Sequence, residues 1–397
     1  MRPDRPATPP FRAGLWPIAV PMVIAWTLLA TACGGDGSEL DPCGEPCPGT
    51  RQCDPVSGVC VETGPASLDG TDLAPRLAGT WQNGTPVVLV YDRIGQRFLH
   101  GSVQGTQMAW ETAVMADEAV SPPGGPQIGF VSLTPQPSFL AETAPGEISL
   151  LDRGAEGWTS APAGELPGPL SALSAVRDSG QSFQACAGDV NRTLWFASGK
   201  GGTVEWKEVR ADGMDGSPSA PCAVAHAGGQ VLLIAALRPA GLVSMWRDQD
   251  LGWQFSVLDS QTVPVALSVA PADTGLAAAW IDGSTGELRV ARGGTGGIEV
   301  TTAAGASTDS ASACSVSLAT SANGQLRLAF RNADAGQLVL LGPQGAGPGW
   351  EPLAALPQVP PLLPLLGFGT DGGAEVAAIE SPPAGSPGAG TFKRVDF

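Results

Sequence analysis

Five tryptophans recur at nearly equal intervals along this chain of 397 residues. They are Trp110, Trp158, Trp206, Trp253 and Trp350, with Ile298 in the slot between the last two, and the successive spacings are 48, 48, 47, 45 and 52 residues. Each interval contains an apolar run, a Gly-containing turn and an alternating run, as in "PVVLVYD" (86–92) and "RFLHGSV" (97–103). Runs this short, bounded by Gly, Pro, Asn or Asp, are typical of β-strands and leave no room for a long helix. The sequence therefore predicts an all-β repeat protein.

Repeat units of about 48 residues with four short strands are typical of a β-propeller. We predict a propeller over residues 66–397 with seven four-stranded blades, six or eight being the alternatives, and units that end near 116, 164, 212, 259, 303, 355 and 397. The last unit contains "TFKRVDF" (391–397) as a third strand but no fourth. A segment near 58–63 or 75–79 is expected to supply the missing strand and so remove an exposed sheet edge.

The first 32 residues have the pattern of an export signal. Arg2, Arg5 and Arg12 precede the apolar stretch "LWPIAVPMVIAWTLLA" (15–30), and small residues follow at "ATAC" (30–33). The junction "LLATACGG" resembles the lipobox of bacterial lipoproteins, which implies cleavage after residue 32 and lipidation of Cys33. Ordinary signal cleavage after Ala30-Thr31-Ala32 is the alternative. Residues 33–42 are then a polar tether.

Residues 43–60 form a small cysteine-rich module. Cys43, Cys47, Cys53 and Cys60 lie among Gly, Pro and Asp residues, and an even number of cysteines in an exported protein indicates two disulfides of undetermined pairing. A zinc site is disfavoured because the segment has no C-x2-C pair and no nearby histidine. The module resembles truncated EGF-like segments, which implies a stapled spacer.

Three further cysteines lie in the repeat region, each near the start of a predicted unit. Cys186 and Cys222 fall in neighbouring units and are candidates for a disulfide, whereas Cys314 is expected to be a small buried residue.

Composition and motifs limit the possible functions. The net charge is −17 with 21 Lys+Arg, so the chain lacks the basic surface that nucleic-acid binding needs. Only His100 and His226 are present, which excludes a multi-histidine metal centre, and no cofactor motif occurs. The sequence "SLLDRGAEGW" (149–158) is reminiscent of a sialidase box, but that box is a structural turn, and Tyr91 is the only available tyrosine nucleophile.

The layout resembles bacterial lipoproteins with tandem propeller repeats. That resemblance and the absence of a catalytic set predict a monomeric, non-catalytic protein that binds a protein or glycan, or acts as a scaffold. We expect it in the cell envelope, tethered to the outer membrane, with secretion as the alternative. The competing hypothesis is a propeller glycoside hydrolase or lyase with a carboxylate pair such as Asp92 and Asp282 at the channel mouth.

Overall fold

The computed structural model describes residues 51–54, 59–62, 68 and most of 71–396. Within the last range it leaves out 105–106, 117–125, 133–135, 178–181, 201–202, 211, 228–229, 249–251, 273–274, 295–296, 306–315, 322, 333–336, 345–348, 357–361, 369–372 and 381–390. The predicted signal peptide, the tether, Cys33, Cys43, Cys47 and Cys314 therefore lie outside the described residues. In the part that is described, no helix is both long and apolar enough to span a membrane.

The described strands form a small hairpin followed by seven antiparallel sheets. The hairpin pairs β1 (Arg51–Asp54) with β2 (Val59–Glu62). Sheet 1 consists of β3 (Leu73–Gln82), β4 (Thr85–Asp92), β5 (Arg97–Gln104) and β6 (Gln107–Met115). Sheet 2 consists of β7 (Ile128–Ser132), β8 (Ser138–Ala144), β9 (Glu147–Gly154) and β10 (Gly157–Glu165). Sheet 3 consists of β11 (Leu170–Arg177), β12 (Ser182–Asp189), β13 (Leu194–Lys200) and β14 (Thr203–Glu208).

The remaining sheets repeat this arrangement. Sheet 4 consists of β15 (Ser217–Ala227), β16 (Gln230–Arg238), β17 (Leu242–Asp248) and β18 (Gly252–Asp259). Sheet 5 consists of β19 (Pro264–Ala272), β20 (Gly275–Asp282), β21 (Glu287–Gly294) and β22 (Gly297–Gly305). Sheet 6 consists of β23 (Val316–Thr320), β24 (Leu326–Asn332), β25 (Gln337–Pro343) and β26 (Trp350–Leu356). Sheet 7 has three strands, β27 (Leu362–Phe368), β28 (Ala374–Glu380) and β29 (Thr391–Asp396).

The sheets stand in a closed ring. The first strand of each sheet lies against the first strand of the next, and β27 of sheet 7 lies against β3 of sheet 1. Within every sheet the strands follow one another in sequence order, so the fourth strand is the outermost. This is the all-β propeller that the sequence predicts.

The predicted number of seven four-stranded blades is wrong. The structure has six four-stranded blades, and the three-stranded sheet 7 lies between the sixth and the first. The predicted closing strand is also wrong, because both candidate segments pair elsewhere. Residues 77–79 pair with β4 inside sheet 1, and β2 pairs with β1.

The core lies between the sheets and is built mainly from their second strands. In β4, β8 and β20 every residue after the first is buried, which explains why these runs are almost continuously apolar. Each fully buried Val, Leu or Phe contributes about 1.5–3 kcal/mol to folding. Trp280 of β20 is the largest fully buried side chain, and its indole N–H donates to Thr262 Oγ1 at 2.9 Å. Neither face of a sheet is covered until its neighbours pack on it, so the ring is needed to bury the core.

Serine hydroxyls connect neighbouring first strands. Backbone N–H groups of the following sheet donate to Ser174, Ser268 and Ser317; the bonds are Val224 N–Ser174 Oγ (3.2 Å), Leu318 N–Ser268 Oγ (3.0 Å) and Leu366 N–Ser317 Oγ (2.9 Å). These bonds satisfy backbone donors that antiparallel pairing inside a sheet leaves free.

Candidate binding sites at the seams between sheets

The regularly spaced tryptophans lie on the fourth strands and contact the preceding sheet. We call the contact between two neighbouring sheets a seam. Three contacts are between rings, with centroids 5.0 Å apart: Trp110 with Phe392, Trp158 with His100, and Trp253 with Phe196. Trp206 donates its Nε1–H to Ala163 O at 2.8 Å. The ring centroid of Trp350 lies 4.5 Å from the guanidinium carbon of Arg292. In sheet 5, Ile298 occupies the equivalent slot and is 42% exposed. The repeated tryptophan is therefore a side chain that joins two sheets.

The seam between sheets 5 and 6 holds a stacked pair with unused donors. Arg292 of β21 places its guanidinium over the ring of Trp350 of β26, 4.5 Å from the centroid. Trp350 is 9% exposed. The Nε and Nη2 atoms of Arg292 and the Nε1 atom of Trp350 are all buried, and none has a hydrogen-bond partner among the residues that the structure describes. Three N–H donors thus lie in a stacked pair that supplies no acceptor.

The electrostatics of Arg292 follow from its burial. Burial lowers the pKa of the guanidinium, and the charge of Glu299 partly offsets this effect. Glu299 lies opposite Arg292 on β22 but is exposed, and it forms no ion pair with Arg292 within the described part of the chain. No described carboxylate therefore compensates the guanidinium of Arg292 at ion-pair distance.

The seam between sheets 1 and 2 contains the same donor types with an acceptor present. Glu111 of β6 accepts Arg153 Nε at 2.6 Å and Trp158 Nε1 at 3.0 Å, and His100 Nδ1 lies 3.0 Å from the same oxygen. The hydrogen bond from His100, followed by those from Arg153 and Trp158, holds the pKa of Glu111 far below its usual range. Glu111 follows Trp110 in sequence just as Glu299 follows Ile298. In the 1–2 seam the carboxylate is hydrogen-bonded to the guanidinium and the indole, whereas in the 5–6 seam it is not.

The carboxylates suggested for glycoside chemistry are used in turns. Asp92 and Asp282 lie in sheets 1 and 5, which are not neighbours, and both are buried. Asp92 accepts the N–H groups of Asp72 and Ile94 and the Nε–H of Arg97, at 3.1, 3.2 and 3.1 Å. Asp282 accepts the N–H groups of Val263 and Ser284 at 3.1 and 2.9 Å. The hydrogen bonds that these two carboxylates accept hold neighbouring turns in place.

Tyr91 and the two histidines were also singled out in the sequence, and the structure describes all three. Tyr91 is 1% exposed and packs on Phe98 at 5.1 Å, which excludes it as an accessible nucleophile. His100 is buried, and His226 lies on β15 with an Nε2 atom that has no partner among the described residues. No group of three or more His, Cys, Asp and Glu side chains in the described ranges could hold a metal ion.

The structure describes four of the cysteines. Cys186 of β12 and Cys222 of β15 form a disulfide between sheets 3 and 4, with their Cα atoms 6.4 Å apart. Cys53 and Cys60 are register partners in the β1–β2 hairpin.

Sequence reasoning missed Arg292, Arg153 and Glu111. The first two lie on alternating runs, "ELRVARG" (287–293) and "EISLLDR" (147–153). In such a run the alternation predicts that an arginine simply faces solvent. The only local signal is the acidic residue directly after the recurring aromatic slot, at positions 111, 299 and 351.

No known protein-family model matches this chain, and no curated protein matches it. Among solved structures, the SapL1 lectin in complex with α-methyl fucoside is 13% identical, covering 72% of this chain and 97% of its own, with a TM-score of 0.47. AofleA from Arthrobotrys oligospora is 10% identical over 83% of this chain and 88% of its own, with a TM-score of 0.48. The fucose-specific lectin from Aleuria aurantia is 13% identical over 72% of this chain and 98% of its own, with a TM-score of 0.47. These similarities do not identify a ligand for this chain.

Proposed function

We propose that this protein is a lipid-tethered, non-catalytic binding protein that takes a glycan at the 5–6 seam. The observation that carries the proposal is the stacked pair of Arg292 and Trp350, whose three buried N–H donors have no acceptor among the described residues. A buried donor without a partner costs about 1–3 kcal/mol, so native structures keep few of them without a reason. Because these nitrogen atoms are buried, a ligand oxygen can accept from them only when the stacked pair opens, and it would then remove this cost.

A sugar has the chemistry that this pair requires. Its hydroxyl and ring oxygens accept hydrogen bonds, while its C–H face is apolar and packs on an aromatic side chain. Tryptophan combines a large apolar ring with a single polar N–H, which suits a ligand with both kinds of surface. The exposed Ile298 on the neighbouring outermost strand adds apolar surface in sheet 5.

The 1–2 seam provides an internal comparison. There the guanidinium of Arg153 and the indole of Trp158 donate to one oxygen of Glu111. The geometry demonstrates that a guanidinium and a seam tryptophan of this protein can share one oxygen acceptor. In the 5–6 seam we assign that acceptor to the ligand.

Glycan binding is tested with two variants of the pair. A glycan-array screen of the mature protein identifies a ligand, and calorimetry then measures its affinity. Arg292→Ala is expected to weaken binding roughly ten- to a hundredfold, since a hydrogen bond to a charged donor is worth about 1.5–3 kcal/mol. Trp350→Phe retains the ring and removes the N–H, so a smaller loss of about fivefold is expected.

The matched control is Arg247→Ala, which removes an exposed arginine from β17 in sheet 4. Its affinity should equal that of the wild type. Unchanged affinity in Arg292→Ala, with its thermal unfolding also unchanged, would place the ligand elsewhere and contradict the proposal.

The lipid tether is the second part of the proposal and rests on the sequence around Cys33. Two acyl signals are needed for stable membrane attachment, and a lipidated N-terminal cysteine with several acyl chains meets this need. The wild-type protein is expected to take up radiolabelled palmitate and to sediment with membranes, and both properties should be lost in Cys33→Ser. Cys314→Ser serves as the control that keeps them. A wild-type protein that is unlabelled and found in the soluble fraction would instead support secretion after ordinary signal cleavage.

A further inference from the structure

A polar cavity lies at the seam between sheets 3 and 4, away from the proposed glycan site. Its volume is about 430 Å³. On the side of sheet 3 it is lined by Arg192 and Thr193, in the turn before β13, and by Glu208 and Arg210, at the end of β14 and just after it. On the side of sheet 4 it is lined by Ser217 and Pro218, where β15 begins. Pockets of about 300–1,000 Å³ with a few converging polar groups are typical sites for small molecules.

The charges in this cavity are predominantly positive, in a chain whose net charge is −17. Arg192 and Arg210 line it, and the charge of Arg192 contributes, after burial, to lowering the pKa of Arg238 at the end of β16. Glu208 is the only lining carboxylate among the described residues, and it pairs with Arg210 at 2.6 Å. Asp212 and Asp215 are exposed on the adjoining segment and do not line the cavity. Arg192 forms no ion pair within the described ranges, so one of the two lining guanidinium groups has no counterion there.

The backbone at Arg192 is held in an uncommon conformation. Its φ is 73°, in the left-handed region that residues other than glycine seldom adopt. Asp189 fixes this turn, because one carboxylate oxygen accepts the N–H of Thr193 at 2.9 Å and the other accepts Trp195 Nε1 at 3.2 Å. Both oxygens of Asp189 are therefore engaged in positioning the loop. Backbone strain of this kind is concentrated at ligand sites, where the surrounding structure maintains it.

The walls of the cavity are joined covalently. Leu194, Val209 and Met214 line it and pack in the same apolar cluster as Cys186 and Cys222, whose disulfide joins sheets 3 and 4. A cavity between two cross-linked sheets is formed before a ligand arrives, which lowers the entropic cost of binding.

We infer that this cavity binds a small organic oxyanion, a carboxylate or phosphate group carried on a molecule of about the size of a sugar. The planar fork of arginine matches the oxygens of both groups, and the volume exceeds what a bare inorganic ion would fill. The inference does not depend on the glycan site at the 5–6 seam.

The test uses the mature protein and calorimetric titration with glucuronate, glucose 6-phosphate, glucose and inorganic phosphate. At least one of the two organic anions should bind, more weakly as salt is added, whereas glucose should not bind and inorganic phosphate should bind at least about tenfold more weakly. Arg192→Asn removes the charge but keeps a residue that tolerates positive φ, and it should weaken binding at least about tenfold. Arg210→Ala should also weaken binding and provides a second test if the first variant is unstable.

Arg247→Ala controls for the loss of one positive charge elsewhere and should bind like the wild type. The inference is overturned if neither organic anion binds, if inorganic phosphate binds as tightly as the better of the two organic anions, or if the control loses as much affinity as Arg192→Asn. Arg292→Ala should leave this binding unchanged, so failure here and failure of the glycan proposal are separate outcomes.

Discussion

Glu142→Ala is expected to lower the free energy of unfolding by about 3 kcal/mol or more. The side chain is fully buried on β8, and its carboxylate accepts the N–H groups of Gln127 at 3.3 Å, Gly146 at 3.1 Å and Leu170 at 2.8 Å. Alanine would leave all three donors buried without an acceptor, each at a cost of about 1–3 kcal/mol. Leu170 begins the first strand of sheet 3, so the substitution also removes a connection between two sheets. Urea unfolding monitored by tryptophan fluorescence measures the change.

Glu147→Ala is the matched control, because Glu147 is exposed and begins β9 on the same hairpin. A substitution at such a surface position is expected to change stability by less than about 0.5 kcal/mol. Equal effects of the two substitutions would mean that the three hydrogen bonds of Glu142 do not support the fold.

The ring architecture is predictable because its signals are local and repeated. An apolar run such as "GLAAAWID" (275–282) becomes a buried second strand with or without knowledge of its neighbours, and the spacing of Trp110, Trp158 and Trp206 places the outermost strands. The closing arrangement is not predictable in this way. The sequence of residues 77–79 is equally compatible with a fourth strand of sheet 7 and with the observed position beside β4 in sheet 1. Only the packing of sheet 7 on sheet 1 distinguishes these two arrangements.

The candidate sites are harder to predict because each combines residues from two sheets. Arg292 and Trp350 are separated in sequence by β22 and by the first three strands of sheet 6, and whether their side chains stack depends on how two sheets are rotated against each other. Arg192 and Arg210 line one cavity, yet the sequence places them in separate turns of an acidic chain. The carboxylate of Glu111 reaches the guanidinium and the indole in its seam, whereas that of Glu299 is exposed, and no one-dimensional pattern encodes this difference.

Removing the disulfide with Cys186→Ala and Cys222→Ala together is expected to lower the free energy of unfolding by about 2–4 kcal/mol. The bridge joins positions separated by 36 residues and connects β12 of sheet 3 to β15 of sheet 4. Closing a loop of this length restricts the unfolded chain, and its loss restores that freedom. Both cysteines are buried, at 0% and 7% exposure, so alanine introduces no buried polar atom. Urea unfolding of the variant and the wild type under oxidising conditions gives the difference.

The control for this prediction is the same comparison in a strong reductant. Reduction opens every disulfide in both proteins, so the difference between variant and wild type should fall to the small cost of the missing sulfur atoms. A difference that persists unchanged after reduction would assign the loss to packing around residues 186 and 222 and would contradict a role for the cross-link.

Because the same bridge joins the two walls of the oxyanion cavity, the variant should also bind glucuronate or glucose 6-phosphate more weakly at temperatures where it is still folded. Unchanged affinity would mean that packing between sheets 3 and 4 is sufficient to keep the cavity formed.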